Sequence, residues 1–437
     1  STPNELYRQV DSGNRFRSVS GPSNSADRGF GQGVCVCDLN QDGWPDLVVG
    51  NIGRNCVLLN QGDGTFVDAS VSIPDENMWT SSVAVADLNG DHLPEILAAN
   101  YVDDPDVFRI PCVAPRTDCH PHKFTPAVDQ IFLNSGDGTF ENDRDISMVA
   151  ELPNYSLGAV IANFDGIDGN EVFVSVDGKV NHYFNSQRRS DEGGYQLVEK
   201  AVLAGCSVGI NGRQQACMGI AIGDLDASGT LDLAVTNFHN EAINLFLQSS
   251  RSLFVDSANR YQLAKPTEPT LGFGIQAADF DNDSWLDLAL LNGHLYDNRD
   301  QGDPFRMPPQ LFRRDQRGFA EQTPESDSSY WEKKTLGRTL AQFDLDRDGR
   351  MDLVGNHLDQ PIAVLKNESE AGNWIQLRLV GVESERDAIG AVTTARFGGR
   401  TRTVWKSSGG YMAGNEPILH IGLGHATTVD KLTVRWP

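Results

Sequence analysis

Oxygen-bearing side chains recur at fixed offsets along this chain. In "DLNQDGWPDLVVGN", Asp38, Asn40, Asp42 and Asp46 fall at positions 1, 3, 5 and 9, and an apolar stretch follows at once. A divalent hard cation such as Ca2+ takes about six to eight oxygens from carboxylates, amides and carbonyls. Alternating donors in a tight loop supply such a shell, and the backbone carbonyl of Trp44 at position 7 completes it. The sequence predicts the same ligand set in four more copies. These are Asp87, Asn89, Asp91, Leu93 and Glu95; Asp224, Asp226, Ser228, Thr230 and Asp232; Asp279, Asp281, Asp283, Trp285 and Asp287; and Asp344, Asp346, Asp348, Arg350 and Asp352. The expected load is about five Ca2+ ions. A sixth copy, Asn163 to Glu171, has Ile167 at the fifth position and is the weakest candidate. The copies at Asp279 and Asp344 carry four carboxylates each, whereas that at Asp224 has Ser228 and should bind more weakly. An EF-hand also opens D-x-N-x-D-G, but it needs a Glu at position 12, where Val49 stands, and flanking helices.

The elements that must position these loops are strands. A Gly-, Ala- and Val-rich run precedes most copies, as in "GQGVCVC" and "GFGIQAA". A second apolar strand follows each loop, then a third with a turn, Gly-Asp-Gly in "NCVLLNQGDGTF" and "DQIFLNSGDGTF", then a short edge strand such as "LFVDSA". Four short strands per repeat at a spacing of tens of residues describe the blades of a propeller. The fold expected is an all-β calcium-binding β-propeller over 1–370, six blades or seven if one lacks the motif. A small β-sandwich domain follows over 371–437, where apolar residues alternate at Ile375, Leu377 and Leu379. "RFRSVS" near the N-terminus reads as the outer strand that closes the last blade. The opening residues "STPNELYRQV" read as a mature or trimmed start.

The formal charge of -24 over 437 residues excludes nucleic acid and anionic lipid surfaces as partners. No apolar run is long enough to insert in a membrane. Three or four carboxylates per loop mean that bound divalent ions would cancel much of that charge. Cys112–Cys119 and Cys206–Cys217 each flank a short loop and are expected to pair in an oxidising compartment, while Cys35 and Cys37 read as buried thiols.

The repeats resemble FG-GAP/VCBS calcium-binding repeats of the kind found in integrin α-subunit propellers. The stretch from "NWIQLRLVG" through "RDAIGAVTTARFGGRTRTVWKSSGGYMAGNEPILHIGLGHATTVDKLTVRWP" resembles the ASPIC/UnbV domain of the cartilage acidic protein-like family. That resemblance implies a secreted, cell-surface or periplasmic calcium-binding protein.

A ligand site is expected on the face opposite the calcium loops. Five positions after each ninth ligand stand Asn51, Asn100, Asn237, Asn292 and His357, with His239 and His294 two residues beyond their Asn. Arg213 and Arg338 precede first strands and should reach the same rim. Two classes of function follow. One is a calcium-stabilised binding module for a protein or glycan. The other is a lyase, isomerase or hydrolase acting on a sugar or small polar substrate, with His239, His294 and His357 as its groups. Convergence of the three imidazoles discriminates between them.

Overall fold

The computed structural model describes residues 3–10, 15–74, 78–108, 120–136, 138–143, 152–190, 193–297, 299–322 and 328–437. Each acidic loop joins two antiparallel strands, and its ninth residue is the first residue of the second strand. In the first repeat, Phe30–Cys37 pairs with Asp46–Ile52, which pairs with Cys56–Asn60 and then Phe66–Asp68. The second, third, fourth and fifth repeats form equivalent four-stranded sheets, and the sixth has the three strands Gly337–Phe343, Asp352–His357 and Ala363–Leu365. The first two sheets touch edge to edge through one bridge, Ile52 to Trp79. This is the curled, all-β architecture of a β-propeller.

The small residues of the first strands have a packing reason. Neighbouring sheets meet there, held by short bonds from hydroxyl or amide side chains to the next sheet's backbone. Ser82 Oγ donates to Leu157 O (2.6 Å), Ser175 Oγ to Met218 O (2.6 Å), Thr236 Oγ1 to Phe273 O (2.7 Å) and Gln276 Nε2 to Leu340 O (2.6 Å). Such proximity leaves no room for a side chain at Gly219, where a Cβ would lie 1.9 Å from Phe273 O. The apolar cores fill the wedges between sheets; one runs from Val160 and Phe173 to Leu233 and Phe246.

The C-terminal segment adds two further sheets. Asn373–Leu377 pairs with Leu419–Gly424, and Val392–Phe397 lies between Arg400–Trp405 and Lys431–Arg435. Ala395, Phe397, Ile421 and Leu423 are buried between them. One excursion of this segment leaves its own sheets: Ser408–Gly410 pairs with the third repeat's first strand, Ser156–Ala162.

Two sequence expectations are corrected. Phe16–Ser18 does not close the sixth sheet; it pairs with Tyr7–Gln9 as a separate hairpin. Its side chains are exposed, so no apolar face draws it into that sheet. Cys206 and Cys217 are separate buried thiols, not a disulfide. Both sit inside one apolar cluster as small core residues, and burial pushes the Cys217 thiol up to about 12. Cys35, Cys37 and Cys56 are also free and buried. Cys112 and Cys119 lie outside the described residues.

Candidate functional site

The acidic loops carry the densest polar chemistry of the molecule. Position 1 turns the loop by accepting from backbone amides: Gly43 N reaches Asp38 Oδ2 at 2.8 Å and Gly229 N reaches Asp224 Oδ2 at 3.0 Å. Position 5 accepts from the amide of position 7, as in Trp44 N to Asp42 Oδ1 and Trp285 N to Asp283 Oδ1 (2.8 and 2.9 Å). These Asx-type turns aim successive side chains at one point. Three groups bring carboxylate oxygens within 4.8 Å of one another: Asp224, Asp226 and Asp232; Asp279, Asp281 and Asp283; Asp344, Asp346 and Asp348.

The ninth residue does more than the sequence reading assigned to it. Asp46 accepts from Leu39 N (2.9 Å) and from Asn60 N (2.7 Å). Asp232 does the same with Leu225 N and Gln248 N, and Asp352 with Leu345 N and Asn367 N. A single carboxylate thus ties its loop to the third strand. The recurrence of Asn60, Asn134 and Asn367 near the ends of third strands was the available signal, and it is weak because Asn is common in turns.

Burial raises these acids. Asp46, Asp224 and Asp352 are pushed up to about 6, and Asp232 and Asp287 to about 8, in each case chiefly by desolvation. Three buried carboxylate oxygens, Asp38 Oδ1, Asp224 Oδ1 and Asp346 Oδ1, lack a hydrogen-bond partner. A buried, partnerless carboxylate oxygen is costly unless a cation faces it. The donor set, all oxygen, suits Ca2+.

The C-terminal segment covers this loop face, which the sequence did not foretell. Arg386 Nε lies 3.1 Å from Asp38 Oδ2, Gln376 Nε2 donates to Asp344 Oδ2 (2.8 Å), and Gly424 N donates to Asn282 O (2.7 Å). Its excursion then enters the channel. Met412 N donates to Ser82 Oγ (2.9 Å), and Asn415 bridges Gln276 and Gln342. Tyr411 is buried among Leu157, Met218, Leu271, Phe273 and Met307. A cavity of about 180 Å³ remains between the inner strands and this segment. It contains buried Lys406, whose amine donates to Pro417 O and is held down to about 8 by burial.

On the opposite rim the Asn row is structural. Asn237 Nδ2 donates to Ala242 O and Asn244 Oδ1, and Asn292 Nδ2 to Pro308 O and Gln310 Oε1. Asn51 and Asn100 bind their own loops in the same way. Two of the three histidines come together: the rings of His239 and His294 are 5.9 Å apart at 67°. His239 Nε2 lies 3.7 Å from Asp303, and burial, then His239, lowers His294. His357 is committed elsewhere, to Tyr330 Oη (3.1 Å) and Pro361 O (3.3 Å). Arg338 stacks on Phe273 at 4.1 Å and donates to the carbonyls of Gly293 and His294, a structural role. Arg213 is exposed.

Comparison with known proteins follows the same division. The FG-GAP-like repeat family matches residues 3–98 and 224–290, and the ASPIC and UnbV family matches 381–437. Cartilage acidic protein 1 of Mus musculus is 26% identical over 306 residues, 67% of this chain and 44% of that protein. The chain therefore spans less than half the length of that relative. Integrin alpha-7 of Homo sapiens is 38% identical over 95 residues, 18% of this chain and 8% of that protein. Among solved structures, an Agrocybe aegerita lectin described as recognising non-reducing terminal N-acetylglucosamine aligns over 82% of this chain and 87% of its own, at 12% identity and a TM-score of 0.46. Repeats, loops and tail together place this chain among the FG-GAP-repeat β-propeller proteins with a C-terminal ASPIC/UnbV domain, similar to cartilage acidic protein 1.

Proposed function

We propose that this protein is an extracellular binding module whose propeller is held in shape by about five Ca2+ ions. The propeller has six blades over 1–370, and the ASPIC/UnbV-like domain over 371–437 is docked on the loop face. The ligands are the residues at positions 1, 3, 5, 7 and 9 of the five loops. The observation that carries the metal reading is the set of buried carboxylate oxygens without partners at Asp38, Asp224 and Asp346. When bound, the ion supplies positive charge and fixed coordination, and the chain's own backbone amides orient the carboxylates around it.

With the loop face and channel occupied by the chain's own tail, the free surface for a protein or glycan is the opposite rim. Exposed Leu295, Leu358 and Ile362 lie there, on the loops after the second strands of the fifth and sixth repeats. Among the described residues the three rim histidines do not share one cluster, which favours binding over catalysis. The test presents labelled protein to arrays of glycans and of immobilised extracellular proteins. Capture in calcium that is lost in chelator and in Leu358→Ser/Ile362→Ser supports the reading. Capture that survives both changes counts against it.

A further inference from the structure

The Asn163–Glu171 loop departs from the backbone path of its five relatives, since its second left-handed residue is Gly169 at position 7 where theirs stands at position 6, and its interior is already filled. Asn163 turns its amide nitrogen inward, donating to the carbonyls of Ile167 and Gly169, the latter at 3.0 Å. Gly169 is position 7, whose carbonyl the other loops offer to an ion. The amide oxygen accepts from Gly166 N at 2.8 Å and from Arg435 Nη2 at 2.8 Å, and Arg435 Nη1 donates to Gly166 O at 2.9 Å. A guanidinium only donates and a carbonyl only accepts, so the amide orientation is fixed by its neighbours.

The remaining acids are also occupied. Asp165 accepts from Ile167 N and from Asn185, and Glu171 Oε2 accepts from Phe164 N at 2.7 Å. No carboxylate oxygen of this loop is buried without a partner, which is also true of the second and fifth loops; the inward amide of Asn163 is what sets it apart. The family's calcium chemistry therefore does not fit here.

We propose that the third loop binds no metal and that Arg435, on the last strand, is its resident cation. Asn163 donates inward where an ion would accept lone pairs, and the guanidinium neutralises the loop from outside. The same two bonds fasten the C-terminal domain to the third blade, so this attachment does not depend on calcium. The inference rests on the calcium reading of the other five loops for its contrast.

The test counts ions per chain by native mass spectrometry and follows hydrogen exchange of loop amides. In calcium, Glu171→Gln and the gentler Asp165→Asn should match the wild-type count, while Asp281→Ala should lose one ion. Asn163→Asp/Ile167→Asp/Arg435→Ala should gain one ion. In chelator, amides of 163–171 should keep their wild-type protection while those of 279–287 and 344–352 lose theirs, and Arg435→Ala should abolish that difference. Loss of one ion in both Glu171→Gln and Asp165→Asn would overturn the proposal. A chain that bound no calcium anywhere would end the five-loop reading instead. The exchange result for Arg435→Ala would then decide this one, with unaltered protection at 163–171 overturning it.

Discussion

At the scale of single residues, the same side-chain type does different work according to what surrounds it. Asp281 belongs to a loop with four carboxylates, Asp226 to one with three, and each sits in a tight oxygen cluster. Asp281→Ala is expected to lower calcium affinity and stability more than Asp226→Ala, and calcium titrations of the two variants check the order. Asp129 is a buried acid with no part in the loops. It accepts from Asn100 N (2.7 Å) and Ser156 Oγ (2.9 Å), and burial raises it to about 7. A carboxyl raised on folding binds its proton more tightly in the native state, so its contribution is complete below about pH 4 and is lost as pH rises through about 7. Asp129→Asn removes that titration. Urea melts between pH 5 and pH 8 should therefore show a smaller fall in stability for the variant than for the wild type.

At the scale of elements, the repeat works because small first strands allow neighbouring sheets to share backbone bonds. Gly274 has a neighbour, Leu340 N, 2.4 Å from where its Cβ would be. Gly274→Ala must push two sheets apart and should cost about 2 kcal/mol or more, read from denaturant unfolding. The sequence announced these runs by composition. The channel plug was not. "SSGGYMAGNEP" reads as a Gly-rich turn of the tail domain, because nothing local distinguishes a hairpin that folds back from one that enters another domain. Tyr411 shows what the excursion contributes. Tyr411→Ala would leave an aromatic-sized void among Leu157, Met218 and Phe273 and should cost about 3–5 kcal/mol, measurable by the same unfolding experiment.

At the scale of the whole molecule, charge decides. A formal charge of -24 is concentrated in loops that gather on one face, and a basic and amide-bearing domain surface meets them there through Arg386, Arg402, Arg435 and Gln376. Calcium and tail thus reinforce one another, because both relieve the same crowding of carboxylates. Chelation should lower the melting temperature and loosen the tail where it meets Asp38 and Asp344, while its attachment to the third blade through Arg435 persists. Each filled site adds about 2.7 kcal/mol when the free ion stands at a hundredfold its dissociation constant. An unchanged melt in chelator would remove structural calcium from the account.

The repeat, the strands around each loop and the spacing of its oxygen-bearing side chains were legible in sequence, since alternation and spacing act over nine residues and need no distant partner. Where the tail docks, which histidines meet, whether Cys206 bonds Cys217 and what fills the Asn163 loop depended on the tertiary structure. Those outcomes turn on contacts between segments far apart in the chain, such as Arg435 with Asn163, and hydrophobic and electrostatic complementarity across such separations leaves no periodic trace in the order of residues.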